Sequence, residues 1–249
     1  MNITLKNGDK LEVAEGADCA AAAKAISEGL ARAAVAAKVN GELVDLSTAL
    51  KEGDSLEIVT LKDKEGLHVY RHTCAHVLAQ AIKNIFPTSK LAIGPVIDNG
   101  FYYDIDFKTP ITMDDFAKIE AEMKKIIKSN LPIERFTLPR SEAVALMSGF
   151  GENYKVELIN DLPEGEEISF YKQGAFIDLC RGPHLPSTGK IKAFKLMSIA
   201  GAYWRGDEKK KMLTRIYGTA FAKKEEMDAY FVMLEEAKKR DHIKLGREL

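Results

Sequence analysis

Three Asn-Gly dipeptides do most to limit the folds open to this chain. They lie at residues 7–8, 40–41 and 99–100, each between short runs of β-forming residues. Such a pair is a strong signal for an antiparallel hairpin, because both residues accept the positive φ angles of a tight turn. Helical segments lie between the hairpins at irregular intervals. This order favours an α+β layered fold over a doubly wound parallel sheet.

The first 62 residues are typical of a small separate unit. A hairpin over MNITLKNGDKLEV is followed by an Ala-rich helix over CAAAAKAISEGLARAA, with Asp18 as its expected N-cap. Short strands around residues 40–41 and a closing strand over KEGDSLEIVT complete the unit. This order predicts a ubiquitin-like β-grasp module that ends at the polar segment 61–66.

The remaining residues predict a larger α+β unit. Residues 71–86 have apolar side chains at helical spacing, and Pro87 should end that helix. A hairpin at about 91–107 should precede an amphipathic helix capped by Thr112. We further predict a short helix over SEAVALMSGF, strands over YKVELIN, ISFYKQ and AFIDLC, and a long charged helix over 225–245.

Composition excludes several classes of protein. The three cysteines are too few, and odd in number, for a disulfide framework. The N-terminus has no apolar signal core, and no apolar run approaches the ~20 residues that span a bilayer. We therefore expect a cytoplasmic protein without membrane contact.

The formal net charge is −1, but the charges are unevenly distributed. Residues 1–62 hold seven Lys/Arg and ten Asp/Glu, whereas residues 190–224 hold ten Lys/Arg and two acids. The second stretch also holds Tyr203, Trp204 and Tyr217, and aromatic rings among cations suit contact with bases and phosphates. They suit an aromatic core edge beside a lysine-rich turn equally well.

Two pairs of metal-ligand residues have four-residue spacing. His72 and His76 lie one helical turn apart, away from the apolar stripe, so both imidazoles can reach one point. Cys180 and His184 flank Arg-Gly-Pro, which requires a turn. The four side chains could complete a tetrahedral zinc site. A metal-free catalytic cleft, or unrelated structural roles, fit the same spacing.

Other residues near these pairs have open interpretations. Asp178 should point to the same face as Cys180 on a strand, where it could hold an amine or orient a histidine. Lys155 would be a lone cation in an apolar strand, and extension to solvent is the better interpretation. Cys74 lies on the apolar stripe and is expected in the core. His68 precedes the clear helix and receives no role.

Taken together, the motifs resemble the N-terminal half of bacterial-type threonyl-tRNA synthetases. The resemblance covers the whole chain and rests on RHTCAHVLAQA, AIGPVIDNGFYYDID, GENYKV, DLCRGPH and FKLMSIAGAYWRGDEKKKMLTRIYGTAF. It implies a TGS module of β-grasp fold at 1–62, an editing domain at 63–224 and a linker helix at 225–249. The class II catalytic domain, with its ATP, Mg and catalytic zinc sites, should lie outside this chain, which is expected to be part of a longer protein.

The resemblance also implies site residues. The expected catalytic residues are His72, Lys155 and His76, with His72 as base or proton shuttle. The expected substrate-binding residues are Asp178, Cys180, His184 and Tyr103. Related alanyl-tRNA editing domains hold zinc at the four His and Cys positions, whereas bacterial threonyl editing domains are taken to work without it. We therefore expect no required cofactor, with zinc at His72, His76, Cys180 and His184 as the alternative.

The implied reaction is hydrolysis of mischarged seryl-tRNA(Thr), with the tRNA acceptor end as partner. Serine lacks one methyl group of threonine, and binding alone discriminates such a difference by only ~10–200-fold. A second site would hydrolyse the serine ester and exclude threonine by a clash of its methyl group. A covalent Cys180 intermediate is a rival mechanism that needs a depressed thiol pKa. A non-catalytic tRNA-binding module and a zinc-dependent hydrolase stay open. The full-length protein should be a homodimer and this part a monomer.

Overall fold

The computed structural model describes residues 1–245, which form three sheets with α-helices packed against them. Helices and antiparallel hairpins alternate irregularly, which confirms the predicted α+β class. None of the described helices combines the length and the apolar character that crossing a bilayer requires. The last four residues of the linker predicted at 225–249 lie outside the described range.

Residues 1–60 form the first sheet and are here called the N-terminal module. Its strands are β1 (Asn2–Leu5), β2 (Lys10–Glu12), β3 (Ala34–Val39), β4 (Glu42–Val44) and β5 (Ser55–Thr60). The sheet order is β2-β1-β5-β3-β4, with β1 and β5 parallel and the other pairs antiparallel. Two hairpins on either side of a helical segment, with the first and last strands paired in the middle, form the predicted β-grasp fold.

The helical segment of this module is two short helices rather than the single helix predicted. The helix α1 (Cys19–Ile26) is capped by the Asp18 carboxylate, which accepts a main-chain N–H at 2.8 Å, as expected. Ser27 has an extended backbone and caps α2 (Glu28–Ala33) through its hydroxyl. Because serine competes well for main-chain hydrogen bonds, Ser27 ends one helix and begins the next.

Helix α3 (Lys64–Ile85) begins earlier than predicted and ends before Pro87, as predicted. His68, which the sequence placed before the helix, therefore lies inside it, on an exposed face. Gly66, at the end of the predicted polar segment 61–66, is closely packed, because a Cβ there would come within 2.0 Å of the Thr60 carbonyl oxygen. Glycine lets the helix start against strand β5.

Most side chains of α3 are buried, including Cys74, as predicted. Val35, Ala36 and Val59 of the N-terminal module belong to the same hydrophobic cluster as this helix. The module also has a smaller core of its own around Ile3 and its Ala-rich helix. Helix α3 is therefore the element that joins the module to the rest of the chain.

Eight strands and four helices follow α3 in the described residues. In chain order they are β6 (Lys90–Leu91), β7 (Val96–Ile97), β8 (Gly100–Asp106), α4 (Phe116–Lys128), β9 (Ile133–Leu138), α5 (Arg140–Gly149), α6 (Asn153–Asp161), β10 (Ile168–Gln173), β11 (Phe176–Leu179), β12 (Ala193–Tyr203), β13 (Met212–Phe221) and α7 (Lys224–Leu245). One sheet has the order β11-β10-β9, and the other has the order β12-β13-β8-β6 with β7 paired to β8.

Several local predictions are confirmed in this region. Asn99, at φ 58°, lies in the turn between β7 and β8, inside the hairpin predicted at about 91–107. Thr112 and Asp115 form a capping box before α4, and Phe116 and Met123 lie on its buried face. Helices α5 and α7 and strands β10 and β11 also fall where predicted.

One local prediction fails in this region, and one long hairpin had no prediction. Residues 154–160, predicted as a strand, lie in helix α6. Their alternation of apolar and polar residues resembles a strand, but Lys155 and Ile159, one helical turn apart, are both buried. The long β12–β13 hairpin was not predicted, although it forms the edge of the largest sheet after α3.

Candidate functional site

The two predicted ligand pairs meet at one point. Helix α3 carries His72 and His76 on neighbouring turns, and the segment 180–184 after β11, here called the ligand turn, brings Cys180 and His184 to them. One ligand atom from each side chain lies within 4.8 Å of every other. These four residues are called the His/Cys cluster below.

Contacts within the cluster are close. Cys180 Sγ lies 3.4 Å from His72 Nε2 and 3.3 Å from His184 Nε2. The His184 ring centroid is 4.3 Å from that of His72 and 4.2 Å from that of His76. The Gly182 N–H donates to Cys180 Sγ at 3.2 Å and so fixes the start of the ligand turn.

Thr73 favours one tautomer of His184. Its hydroxyl donates to the Val69 carbonyl oxygen at 3.0 Å, and a hydroxyl has only one proton to give. The same oxygen lies 3.0 Å from His184 Nδ1, an arrangement that suits an Nδ1–H that donates to it. In that tautomer the lone pair of His184 is on Nε2, which faces Cys180.

The cluster is built to hold neutral imidazoles. Burial, reinforced by the neighbouring His76, lowers the pKa of His72 to about 3. Burial also lowers the pKa of His76 to about 4 and that of His184 well below its ordinary value. Burial raises the pKa of the Cys180 thiol to about 12. This direction is opposite to the one that a covalent Cys180 mechanism needs.

A buried ion pair lies beside the cluster. Lys155 Nζ lies 2.8 Å from Asp178 Oδ1, with side chains 4% and 2% exposed. The expectation that Lys155 extends to solvent is wrong, because helix α6 turns its side chain inward onto this carboxylate. Among the described residues, Asp178 provides the carboxylate that forms an ion pair with this ammonium and offsets the cost of burying it.

Tyr103 completes this network. Its hydroxyl donates to Asp178 Oδ2 at 2.6 Å and accepts from Lys155 Nζ at 3.0 Å. Burial opposes ionisation of Asp178, but Lys155, His76 and the hydrogen bonds outweigh it and hold the pKa of the carboxyl below its usual value. His76 Nε2 lies 3.8 Å from Asp178 Oδ2, so the network reaches the cluster.

Two cavities reach the site. One, of about 270 Å³, is lined by Asp178 together with Gln80, Leu91 and Phe176. The other, of about 290 Å³, lies between the N-terminal module and the ligand turn and is lined by His184. The two cavities therefore border Asp178 of the ion pair and His184 of the cluster.

The sequence interpretation missed several residues that support the site. Thr73 lies between the two cluster histidines in the sequence, and a polar residue on the buried side of a helix is a usable signal. Tyr171 packs edge-on against His184 at 4.4 Å between ring centroids. Asp45 of the N-terminal module accepts the His184 main-chain N–H at 2.8 Å, and nothing local in the sequence signals this contact.

The basic stretch 190–224 is partly neutralised by acids. Ion pairs join Lys195 to Glu120, Arg205 to Asp161, Lys211 to Asp106 and Arg215 to Asp104. Trp204 is buried and donates to Glu157, so the core interpretation holds for this residue rather than base stacking. These four ion pairs occupy four of the ten cations in this stretch.

Three other lysines of the stretch lie together at one groove. Lys190, Lys192 and Lys223 line a groove of about 1290 Å³, together with Arg32 and Lys62 of the N-terminal module. Glu226 is the one acidic residue among the described residues that line this groove. Its described lining holds five cations and one acid among mainly apolar residues, and this positive balance suits contact with a polyanion.

The donor set of the cluster fits zinc. Three neutral imidazoles and one thiol provide the nitrogen and sulfur ligands of a tetrahedral zinc ion, and the Thr73 contact supplies the outer hydrogen bond that such ligands usually have. The same lone pairs can also bind or deprotonate a water without metal. The geometry is compatible with both.

Comparison with known proteins gives two domain matches. Residues 1–60 match the TGS domain, and residues 168–217 match the Threonyl and Alanyl tRNA synthetase second additional domain. The second match contains Asp178, Cys180 and His184 and ends within β13.

Curated relatives match the chain over its full length. The chain is 62% identical to a threonine–tRNA ligase of Clostridium tetani, 61% to one of Acetivibrio thermocellus and 59% to one of Caldanaerobacter subterraneus. Each match covers 100% of this chain and 39% of the relative. The chain therefore contains a TGS domain and a Threonyl and Alanyl tRNA synthetase second additional domain, and it corresponds over its whole length to the N-terminal region of bacterial threonine–tRNA ligases.

Proposed function

We propose that this chain hydrolyses the ester of seryl-tRNA(Thr) and so edits mischarged tRNA. The observation that carries the proposal is the His/Cys cluster beside the buried Lys155–Asp178 pair. We assign residues 1–62 to the TGS module, residues 63–224 to the editing domain and the segment from 225 onward to a linker. The aminoacylation activity of the relatives is not assigned to this part of the chain.

Water is the nucleophile in this proposal. Its oxygen attacks the ester carbonyl carbon, the bond to the ribose oxygen breaks, and the proton passes from water to that oxygen. His72 is the proton carrier, because its imidazole is neutral and partly exposed. A pKa of about 3 makes it a weak base, so the charge that develops on the ester must be stabilised at the same time.

Lys155 is suited to that stabilisation. Its ammonium has three protons and uses two on Asp178 and Tyr103, which leaves one for the ester oxygen. Asp178 has lone pairs left on both oxygens and can accept the α-ammonium of the amino acid. His76, Cys180 and His184 would contact the serine side chain and the terminal ribose.

Selectivity would come from steric exclusion. The main chain at Gly94 packs directly against the ring of Tyr103, because a Cβ at Gly94 would lie within 2.3 Å of that ring. If the Tyr103 ring forms a fixed wall of the pocket, it would exclude the extra methyl group of threonine. An apolar pocket without such a wall would bind threonine more tightly than serine.

The groove lined by Lys190, Lys192 and Lys223 is the proposed contact for the acceptor arm of the tRNA. Phosphates would release counterions from these lysines, so binding should weaken steeply with salt. We propose that the chain acts on the acceptor end as a monomer. A tRNA substrate also means a cytoplasmic site of action.

The test is deacylation of seryl-tRNA(Thr) and threonyl-tRNA(Thr) by the chain and its variants. We expect loss of serine only, and we expect His72→Ala and Lys155→Ala each to slow the reaction by at least about 100-fold. The matched control is His68→Ala, an exposed histidine one turn earlier on the same helix. Equal rates for wild type and His72→Ala would refute the assigned role.

Zinc-dependent hydrolysis is a second candidate, because the cluster provides three nitrogen ligands and one sulfur ligand. His72, His76, Cys180 and His184 would hold the ion, which could supply Lewis-acid chemistry to the ester carbonyl only with a fifth coordination position or after release of one of the four ligands. Loss of activity with a chelator and its return with zinc would favour this candidate. Binding of tRNA without any deacylation would instead favour a non-catalytic module.

A further inference from the structure

A carboxylate from the N-terminal module reaches the ligand turn. Asp45 follows strand β4, and its Oδ1 accepts the main-chain N–H of His184 at 2.8 Å. Its Oδ2 accepts from the Tyr171 hydroxyl at 2.6 Å. The two carboxylate oxygens of Asp45 therefore hydrogen-bond to two different residues of the site, His184 and Tyr171.

Tyr171 is itself packed against the ligand turn. Its ring lies edge-on to the His184 ring, with centroids 4.4 Å apart. Its hydroxyl fills the space beside Gly182, where a Cβ would come within 1.8 Å of the oxygen. Gly182 has φ +74°, so the turn depends on glycine both for its backbone and for this contact.

The N-terminal module presents Asp45 from a fixed position. Val35, Ala36 and Val59 share a hydrophobic cluster with helix α3, which also carries His72 and His76. Lys38 of the module forms an ion pair with Glu65 at the start of α3. Asp45 and the two helix-borne histidines are thus parts of one packed unit.

We propose that Asp45 is a positioning residue of the His/Cys cluster and that the N-terminal module thereby takes part in editing. Thr73 fixes the side chain of His184 through Nδ1, and Asp45 fixes its main chain. With both contacts made, Nε2 of His184 stays directed at Cys180. The catalytic part of this inference rests on the proposed hydrolysis.

The test compares three variants of the full chain. Asp45→Ala removes both contacts, and Asp45→Asn keeps one oxygen acceptor for the His184 N–H. Asp54→Ala is the matched control, because Asp54 also makes two hydrogen bonds in the same module but contacts only module residues among those described. The readouts are kcat and KM for seryl-tRNA(Thr) deacylation and the imidazole ¹⁵N shifts of His184.

We expect Asp45→Ala to lower kcat by about 10- to 100-fold, as outer contacts of a catalytic group do, with little change in KM. The same variant should shift the His184 ¹⁵N signals. Asp45→Asn should retain most of the rate, and Asp54→Ala should leave rate and signals unchanged.

Two results would overturn the proposal. One is an unchanged kcat with unchanged His184 signals in Asp45→Ala. The other is a raised KM with unchanged kcat, which would make Asp45 a substrate contact, since it borders the cavity beside His184. If Asp45→Ala fails to fold, Tyr171→Phe removes one of the two hydrogen bonds and gives the same readouts.

Failure of the proposed function can be told apart from failure of this inference. If the wild-type chain shows no deacylation, the hydrolytic function fails, and the ¹⁵N signals of His184 alone decide whether Asp45 positions it. Signals that move in Asp45→Ala and not in Asp54→Ala support the positioning role; signals that move in neither refute it.

Discussion

Replacement of Lys155 by methionine tests whether the Lys155–Asp178 pair is charged and buried. Methionine keeps an apolar chain of similar length, so packing changes little. The variant removes the ammonium that lies 2.8 Å from Asp178 Oδ1. The carboxylate, 2% exposed, is left with the Tyr103 hydroxyl and with the imidazole of His76 at 3.8 Å, which is neutral at pH 7 because burial lowers its pKa to about 4.

The expected loss of unfolding free energy depends on the protonation state that Asp178 adopts in the variant. A buried charge that loses its partner costs about 3–5 kcal/mol. The carboxyl can avoid the unpaired charge by binding a proton. At pH 7 this protonation costs about 4 kcal/mol, because the ordinary pKa of an aspartate lies about three units below 7. The free energy of unfolding should therefore fall by about 3–4 kcal/mol at pH 7.

The loss should depend on pH with a definite sign. In the wild type, the pKa of Asp178 is held below its ordinary value, so the pair stays charged well into the acid range. In Lys155→Met, protonation becomes easier by about 1.4 kcal/mol for each pH unit of acidification. The destabilisation should accordingly shrink to about 1–2 kcal/mol near pH 5.

Urea unfolding of the full chain, followed by circular dichroism at pH 7 and pH 5, measures this loss. The double variant Lys155→Met/Asp178→Leu should recover most of the stability, because it removes the orphaned charge as well. Lys6→Met, which breaks an exposed pair with Glu57, is the control and should leave stability unchanged. A loss below about 1 kcal/mol at pH 7, or one that grows on acidification, would refute the reasoning.

Three further predictions concern the tautomer, the groove and the ligand turn. Thr73→Val should move the proton of His184 off Nδ1 in part of the molecules, seen as altered imidazole ¹⁵N shifts, whereas Thr73→Ser should not; identical spectra for valine and wild type would contradict the assignment. Lys192→Gln should weaken tRNA binding, and the plot of log association constant against log salt concentration should become less steep, its slope changing by about 1. Lys209→Gln, at the exposed hairpin turn, should leave this slope unchanged. Gly182→Ala should cost at least about 1–3 kcal/mol in a thermal melt, because alanine meets both the positive φ and the Tyr171 hydroxyl; a melting temperature equal to wild type would show that the turn can relax.

The fold and the cluster could be predicted where the information is local. Asn40-Gly41 and Asn99-Gly100 mark turns through their own backbone preferences, and both lie in hairpins. His72 and His76 share a helical face because of their spacing alone. The ligand types and the shared four-residue spacing already suggested one site with Cys180 and His184 among other interpretations, and the resemblance then implied that site.

Lys155 shows where local information misleads. Tyr154, Val156 and Leu158 alternate with polar residues, so the segment resembles a strand whose lysine faces water. In the structure the segment is a helix and Lys155 is buried. Asp178, which is distant in the sequence, offsets the cost of burying the ammonium. The roles of these site residues stay predictions until the variants are measured.

Asp45 lies beyond any local pattern. It is 139 residues from His184 in the sequence, and the contact exists only because the N-terminal module packs on helix α3. A lone aspartate after a short strand is most simply interpreted as a turn residue.

The shared packing of helix α3 also has a consequence for cooperativity. Val35 and Val59 of the N-terminal module and Val77 and Leu78 of the helix belong to a single hydrophobic cluster, so neither part can open without exposing the other. The main-chain amides of α3 should then exchange with solvent only through global unfolding, at the slowest rates in the chain. We expect His72 and His76 to lie on a strongly protected segment for this reason, and a motion that admits a substrate to involve the ligand turn rather than the helix.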